Sequence, residues 1–214
     1  MLPPSLTSRT VRSGGCPCHE YAWRGRTVPV FDSMSNGLLV IELLEDGGLT
    51  WLEKYSTLMM MLFPDREVRE ELAAEGAVAA LADMRWDAFG IDIAGAHADE
   101  VSGAKAFDWA QDADRIRSSV LQAYGIDWAE FADTRSFREG VGLLTELCEG
   151  STETPFSTAV RYRVGKPPKR TKHNGDEVNA WLRMKDHYAL DDGRTCWDRT
   201  AESFEALRKQ VHDG

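Results

Sequence analysis

Hydrophobic residues recur along most of this chain with the helical period of about 3.6 positions, and with the period of two only near its start. Tyr21 and Trp23, and after Gly25 also Val28 and Val30, are separated by single residues. Such alternation around a glycine predicts a small β-hairpin. The later segments with a clear period are helical, and they number about seven to eight. The pattern therefore predicts a mainly α protein, a multi-helix bundle with a small N-terminal β-hairpin.

Several of the predicted helices begin with sequences that cap a helix. Residues 50–53 and 136–139 have a Thr or Ser followed three positions later by Glu, which is the capping-box pattern. Thr154 precedes a proline, the residue type favoured at the first helical position. The clearest apolar stripe lies in residues 108–124, and Gly125 is well placed to end that helix. The start or end of each of these helices is therefore predicted from local sequence.

Two stretches in the first half of the chain carry weaker signals. Residues 65–82 have helical spacing after the N-cap Asp65, with Gly76 in the interior. A glycine there costs about 1 kcal/mol relative to alanine, yet the spacing still predicts one helix. Residues 87–104 contain glycines and scattered small residues, which favours a loop.

The length of 214 residues predicts one domain, or one domain with extra terminal elements. Residues 1–15 are rich in Pro, Ser, Thr, Gly and Arg and have no periodicity, which predicts a disordered tail. Residues 16–190 form the predicted helical domain, with the hairpin at its start. Residues 191–214 include a last amphipathic segment, and we expect a C-terminal helix that packs on the domain or extends from it.

The formal net charge is −10, which makes nucleic acid and anionic membranes poor partners because both repel a negative protein. One basic run interrupts this acidity and contains no acid. Its cations are Arg161, Arg163, Lys166, Lys169, Arg170 and Lys172. The run is either a solvated loop or a docking strip for an acidic partner surface, and we take its cations as candidate contact residues.

Tryptophans near helix ends are a second kind of candidate contact residue. Trp86, Trp128 and Trp197 lie near predicted helix ends or loops. Interface hot spots are enriched in Trp, whereas a Trp at a helix end also closes the edge of a core. Both interpretations stay open, and Trp128 and Trp197 join the basic run as candidate contact residues.

The group of Cys16, Cys18 and His19 resembles a metal site in composition. Structural zinc is held by four ligands, usually from two separated pairs, and the spacing of these cysteines is too tight for such a pair. We favour the alternative of a flexible tail with incidental thiols. No metal and no cofactor are therefore expected.

Sequence motifs of catalysis are missing from the chain. It has no P-loop, no dinucleotide-binding glycine motif, no nucleophile elbow and no paired-histidine zinc motif. Asp108, Asp112 and Asp114 are close in sequence, but they fall in a periodic segment. A charged outer helix face is therefore predicted instead of a calcium loop. We expect no catalytic residues and no small-molecule substrate, and thus a protein that is not an enzyme.

The apolar stretches at residues 38–44 and 58–63 are too short to cross a bilayer. The first residues lack the apolar core of a signal peptide, and the spacing of the cysteines gives no disulfide framework. We therefore expect a cytoplasmic protein with reduced thiols and no membrane partner.

Several segments of the second half resemble a known bacteriophage family. They are residues 107–116, 121–128, 137–147, 156–163 and 181–190. The first contains Phe-Asp-Trp-Ala-Gln-Asp-Ala-Asp-Arg-Ile, and the last contains Trp-Leu-Arg-Met-Lys-Asp-His-Tyr-Ala-Leu. Together they resemble the bacteriophage gene product fifteen family of tailed phages and prophages. The resemblance covers residues 20–190 and is most specific after residue 105.

The resemblance implies a role in phage tail assembly without catalysis, since the family has no established enzymatic activity and no catalytic residues to carry over. The usual place of its gene among tail genes is similar to that of tail assembly chaperones, which coat the tape-measure protein until tail-tube subunits replace them. The implied partners are the tape-measure protein and the tail-tube protein. Self-association is a separate expectation from the charge pattern, in which the basic run of one copy pairs with an acidic surface of another. The implied location is the cytoplasm of the host bacterium. A structural tail-completion protein or minor virion component is the alternative.

Overall fold

A computed structural model of the chain describes residues 10–90 and 106–191. The first elements form a three-stranded antiparallel sheet with the order β1-β2-β3. The strands are β1 (Thr10–Ser13), β2 (Cys16–Trp23) and β3 (Arg26–Val30). The hairpin of β2 and β3 turns at Gly25 and pairs Tyr21 with Val28, as the alternating residues predict.

The strand β1 corrects the prediction of a disordered tail through residue 15. It pairs with β2 so that Val11 lies opposite Cys18. The turn after it packs on backbone, because a Cβ built on Gly14 would lie 2.5 Å from the carbonyl carbon of Pro64. The strand has only 4 residues, mostly polar, and this is too short for a period to show. The rest of the predicted tail lies outside the described residues.

Helices form the rest of the described architecture. They are α1 (Met34–Glu45), α2 (Trp51–Leu62), α3 (Arg66–Glu75), α4 (Ala77–Phe89), α5 (Ala113–Tyr124), α6 (Trp128–Thr134), α7 (Phe137–Glu149), α8 (Pro155–Val164) and α9 (Gly175–His187). The predicted mainly α bundle with a small N-terminal β-hairpin is confirmed, and β1 adds a third strand to that hairpin. The single helix predicted over residues 65–82 is wrong, because Gly76 separates α3 from α4. Its φ of 112° lies in the left-handed region, where glycine is favoured and a helix ends.

The predicted helix caps are present. Thr50 Oγ1 accepts a hydrogen bond from the Glu53 amide at 3.4 Å, and Glu53 Oε2 accepts one from the Thr50 amide at 2.8 Å. Ser136 and Glu139 exchange the equivalent bonds at 3.2 and 3.1 Å. Thr154 caps α8 with the predicted proline at the first helical position. These bonds satisfy amides that a helix start leaves without partners, which explains why the local patterns were informative.

The loop predicted over residues 87–104 begins later than expected, since α4 continues to Phe89. Residues 91–105 lie outside the described part of the chain, as do residues 192–214 with Trp197 and the predicted C-terminal helix. None of the helices within residues 10–90 and 106–191 has both the length and the apolar character needed to span a membrane.

The sheet and the helices share one core, and backbone hydrogen bonds join them where β3 leads into α1. The Asp32 carbonyl accepts from the Phe137 amide at 2.7 Å, and the Arg135 carbonyl accepts from the Met34 amide at 2.9 Å. α1 crosses α7 closely, because a Cβ on Gly37 would lie 2.6 Å from Cγ of Phe137. This crossing places α1 against α6 and α7, and α1 forms one wall of the candidate site.

Candidate partner-binding surfaces

A cleft of about 550 Å³ opens between one face of α1 and the start of α5. Its apolar wall is formed by Leu38, Ile41, Phe107, Trp109, Ile116 and Trp128. Its charged side chains are Glu42, Glu45, Asp108 and Arg117. The α1 members recur at helical spacing, so one helix face supplies both apolar and acidic groups. A concave apolar surface with a few charged groups is the usual form of a binding site.

The aromatic wall of the cleft is continuous with the core. Phe107 meets Trp109 edge-on with 4.8 Å between ring centroids, and meets the buried Phe156 of α8 at 5.5 Å. Trp128 is half-buried and stacks on the buried Phe131 at 5.6 Å. Trp128 therefore lies at the core edge and also lines the cleft, where the sequence left these two roles as alternatives. Packing against buried rings holds this wall in place.

The cations of the basic run lie in different environments in the structure. Lys166, Lys169, Arg170 and Lys172 are exposed in the irregular segment between α8 and α9. We call this segment, residues 165–174, the basic loop. The side chains of these four cations make no ion pair with any other residue that the structure describes. Arg161 is also exposed but lies in α8, where it pairs with Glu153 at 2.6 Å.

Arg163 is not available to a partner, which corrects its place among the candidate contact residues. Its side chain is 7% exposed, and Nη1 and Nη2 contact the Asp112 carboxylate at 2.5 and 2.8 Å. Its Nε donates to the carbonyl of Tyr188. Asp112 is fully buried, so the charged outer face predicted for it is wrong. The helix begins only at Ala113, and Asp112 lies in the turns before it.

Several donors hold Asp112 in its charged form. Burial alone would raise the pKa of this carboxyl, but the bonds from Arg163 and from the Asp108 amide, with the Arg163 charge, hold the pKa below its usual value. Arg115 adds a further contact at 2.9 Å. The cluster fixes the turns before α5, and these turns carry Phe107 and Trp109 of the aromatic wall. A buried ion pair thus positions one side of the cleft.

Hydrogen bonds hold the basic loop at both ends. Lys185 Nζ donates to the Gly165 carbonyl at 3.2 Å. At the other end, the Asn174 side chain accepts from the Thr171 amide at 2.6 Å and donates to the Lys169 carbonyl at 3.0 Å. The loop therefore presents its cations from a constrained backbone.

A known protein family matches the part of the chain that contains the cleft and the basic loop. The sequence model of the bacteriophage Gp15 protein family matches residues 20–190. The chain belongs to this family. The match extends from within β2 to beyond α9, so it includes the cleft and the basic loop, and it confirms the resemblance seen in the sequence. No curated protein and no solved structure matches the chain.

This Gp15 family protein also exposes apolar side chains where α1 turns into α2. Leu49, Trp51 and Leu52 are 36%, 52% and 72% exposed, and we call them the apolar turn. Met60, which is 56% exposed, lies on the same face of α2 as Leu52. Neighbouring exposed apolar groups are typical of protein contact sites. Periodicity does not reveal them, because Trp51 falls on the same stripe as the buried Leu58.

The group of Cys16, Cys18 and His19 lies in β2, so the flexible tail predicted for it is wrong. Cys18 and His19 point to opposite faces of the sheet, because adjacent strand residues alternate. Burial, assisted by the nearby Cys16 and Asp32, raises the pKa of Cys18 to about 12, which disfavours the thiolate that binds metals. Within residues 10–90 and 106–191, no three His, Cys, Asp or Glu side chains are grouped to hold a metal ion.

A second buried carboxylate joins the sheet of this family member to its helices. Asp32 accepts a hydrogen bond from Tyr21 Oη at 2.6 Å and contacts His19 Nδ1 at 2.7 Å. The bond to Asp32 raises the pKa of His19, and burial raises the pKa of Tyr21. Both β2 side chains are thereby fixed to the residue that precedes α1. This cluster is part of the scaffold that holds α1, and it lies apart from the cleft lining.

Proposed function

We propose that this Gp15 family protein assists phage tail assembly as a chaperone that binds the tape-measure protein. The observation that carries the proposal is the family match over residues 20–190, which makes the chain a phage protein. The proposed role is binding and release, without catalysis and without a cofactor. Its setting is the cytoplasm of the host bacterium, where the tail-tube protein would displace the chaperone.

The apolar turn supports the proposal as a contact for a helical partner. A Trp at an exposed helix start is an effective anchor, because its ring buries much apolar surface for little conformational cost, and the neighbouring leucines add apolar area. Leu52 and Met60 extend the surface along α2, so an amphipathic partner helix can lie against it through its apolar stripe. The net charge of −10 favours solubility of the complex while the partner is held.

Co-expression with the tape-measure protein from the same phage or prophage tests this role. The native chain should keep that protein soluble and co-purify with it. The double substitution Trp51→Ser with Leu52→Ser should abolish both effects, because it removes the anchors without touching the core.

The matched control is Val78→Ser with Leu121→Ser, which removes apolar side chains that are 70% and 57% exposed on other helices. This control should behave like the native chain. The chaperone role is wrong if the native chain neither binds nor solubilises the tape-measure protein. An equal loss in both double variants would remove the apolar turn from the proposal.

The alternative role is a structural tail-completion or minor virion component, which the same family membership permits. Mass spectrometry of purified particles separates the two roles. A chaperone should be absent from finished particles, whereas a fixed number of copies per particle would overturn the chaperone role in favour of the structural one.

A further inference from the structure

Two surfaces outside the proposed tape-measure contact have opposite chemistry. The cleft between α1 and α5 combines an aromatic wall with the carboxylates of Glu42, Glu45 and Asp108. The basic loop presents only cations among its charged side chains, on either side of a pair of prolines. These residues are Lys166, Pro167, Pro168, Lys169, Arg170 and Lys172. From this complementarity we infer that the basic loop of one copy docks in the cleft of a second copy.

The charge of the cleft favours a cationic occupant. Its lining contains three carboxylates against the single guanidinium of Arg117, which itself contacts Asp114 at 3.5 Å. Glu42 and Glu45 are exposed on one face of α1, one helical turn apart. Facing charges of opposite sign steer association and fix its orientation, and a second acidic surface would be repelled. Among residues 10–90 and 106–191, the basic loop is the segment in which exposed cations are densest and acids are missing.

The prolines of the loop suit the aromatic part of the cleft. Pro-rich segments with neighbouring cations dock in aromatic grooves, because proline rings pack on aromatic faces and lose little backbone freedom on binding. The wall here consists of Phe107, Trp109 and Trp128, which are braced by the core. Pro167 is exposed, so the loop presents an apolar ring as well as charge.

The backbone of the basic loop is already constrained in the single chain. Lys185 and the Asn174 side chain already hold its two ends through backbone hydrogen bonds. Ordering a loop on association costs free energy, and a loop that is already constrained avoids most of that cost. The exposed cations then need only side-chain ordering to reach the carboxylates of the cleft.

The occupant belongs to a second copy, because the loop of the same copy does not enter the cleft. The described lining comes from α1, residues 107–110, α5 and α6. A loop on one surface and a cleft on another pair in one of two ways. Two copies exchange their loops reciprocally in a two-fold dimer, or a head-to-tail contact leaves one loop and one cleft unused and extends into open chains or rings.

Sedimentation of the full chain over a range of concentrations tests the contact. The native chain should form dimers or larger species, and these should dissociate as salt is raised. Reversing the loop with Lys166→Glu, Lys169→Glu and Arg170→Glu should weaken association at least about tenfold, because acidic groups then face acidic groups. Reversing the cleft with Glu42→Lys and Glu45→Lys should have the same effect.

The combination of both reversals restores opposite charges and should recover the association that each reversal loses. In an equimolar mixture of the two reversed chains, each loop meets a cleft of opposite charge on the other chain, so the mixture should form mixed species that neither chain forms alone. The control Glu146→Lys with Glu149→Lys makes the same charge change as the cleft reversal, at exposed positions of α7 outside the cleft. It should leave association at least as strong as in the native chain.

Several results would overturn the inference. One is a native chain that is monomeric at every concentration. The others are a loop or cleft reversal that leaves association unchanged, and a combined variant that stays dissociated. A cleft reversal that abolishes tape-measure binding while self-association persists would assign the cleft to that partner instead. The sedimentation measurements of self-association need no tape-measure protein. Their results would therefore stand even if the proposed chaperone role were wrong.

Discussion

Arg163 and Asp112 are 51 residues apart in the sequence, yet their guanidinium and carboxylate meet at 2.5 and 2.8 Å inside the protein. The contact joins the last turn of α8 to the turns before α5. Arg163 Nη1 also donates to the Ala106 carbonyl at 3.3 Å, and its Nε donates to the Tyr188 carbonyl. One side chain thereby fixes the start of the cleft wall and the end of α9 to each other.

We predict that Asp112→Ala lowers the free energy of unfolding by about 3–5 kcal/mol, because it leaves the buried guanidinium of Arg163 without its counter-charge. The double variant with Arg163→Met should recover much of this loss, since both charges are then absent. Urea unfolding followed by circular dichroism measures both values. The control Asp114→Ala removes an exposed carboxylate that contacts Arg117, and it should unfold like the native protein. Equal stability of the Asp112 and Asp114 variants would contradict the structural role of the pair.

Asp112 also shows why the candidate site was harder to predict than the fold. Helical spacing groups Asp108 and Asp112 on one stripe, which suggests an outer face. The Asp108 carboxylate instead accepts from the amides of Ala110 and Gln111 at 3.0 and 2.9 Å, which forms a turn and delays the helix. The burial of Asp112 depends on Arg163, and no local pattern contains a partner so distant in sequence.

A second prediction concerns the crossing of α1 and α7. Gly37→Ala should lower the free energy of unfolding by about 1–3 kcal/mol, because the added methyl group would overlap the ring of Phe137. The control Gly142→Ala lies on α7 with nothing within 4 Å of the new Cβ, and it should gain about 0.5–1 kcal/mol from better helix propensity. Thermal and urea unfolding of both variants check the opposite signs. A stabilising Gly37→Ala would mean that α1 and α7 leave room for a methyl group at their crossing.

The fold was predictable where the signal was local. The capping boxes at Thr50 and Ser136 involve residues three positions apart, so a short window contains both partners. Helical spacing continues through Gly76 and therefore predicts one helix, whereas the left-handed conformation of Gly76 ends α3. The cleft could not be predicted, since its walls come from α1 and α5. Hydrophobic periodicity within one segment does not show which distant helices lie side by side.

A third prediction follows from the contact of His19 with Asp32. The bond raises the pKa of His19 above the ordinary value of 6.5, so its contribution to stability is complete below pH 6.5 and is lost as pH rises through the raised pKa. His19→Gln keeps a polar side chain but removes the titration. Relative to this variant, the native protein should therefore lose stability between slightly acidic and alkaline pH. Urea unfolding at several pH values measures the difference, and parallel curves for the two proteins would show that the pair does not favour the imidazolium.

The last prediction concerns the thiols of β2. A pKa of about 12 leaves Cys18 almost entirely protonated at pH 8, and its side chain is buried, so iodoacetamide should modify it far more slowly than the half-buried Cys16. Peptide mass spectrometry after timed labelling measures both rates in the same molecule. Labelling in urea is the control, since unfolding removes the burial that raises the pKa and should bring the two rates together. Equal rates in the folded protein would mean that β2 opens readily to solvent. Burial would then neither protect the Cys18 thiol nor keep a metal ion from this strand.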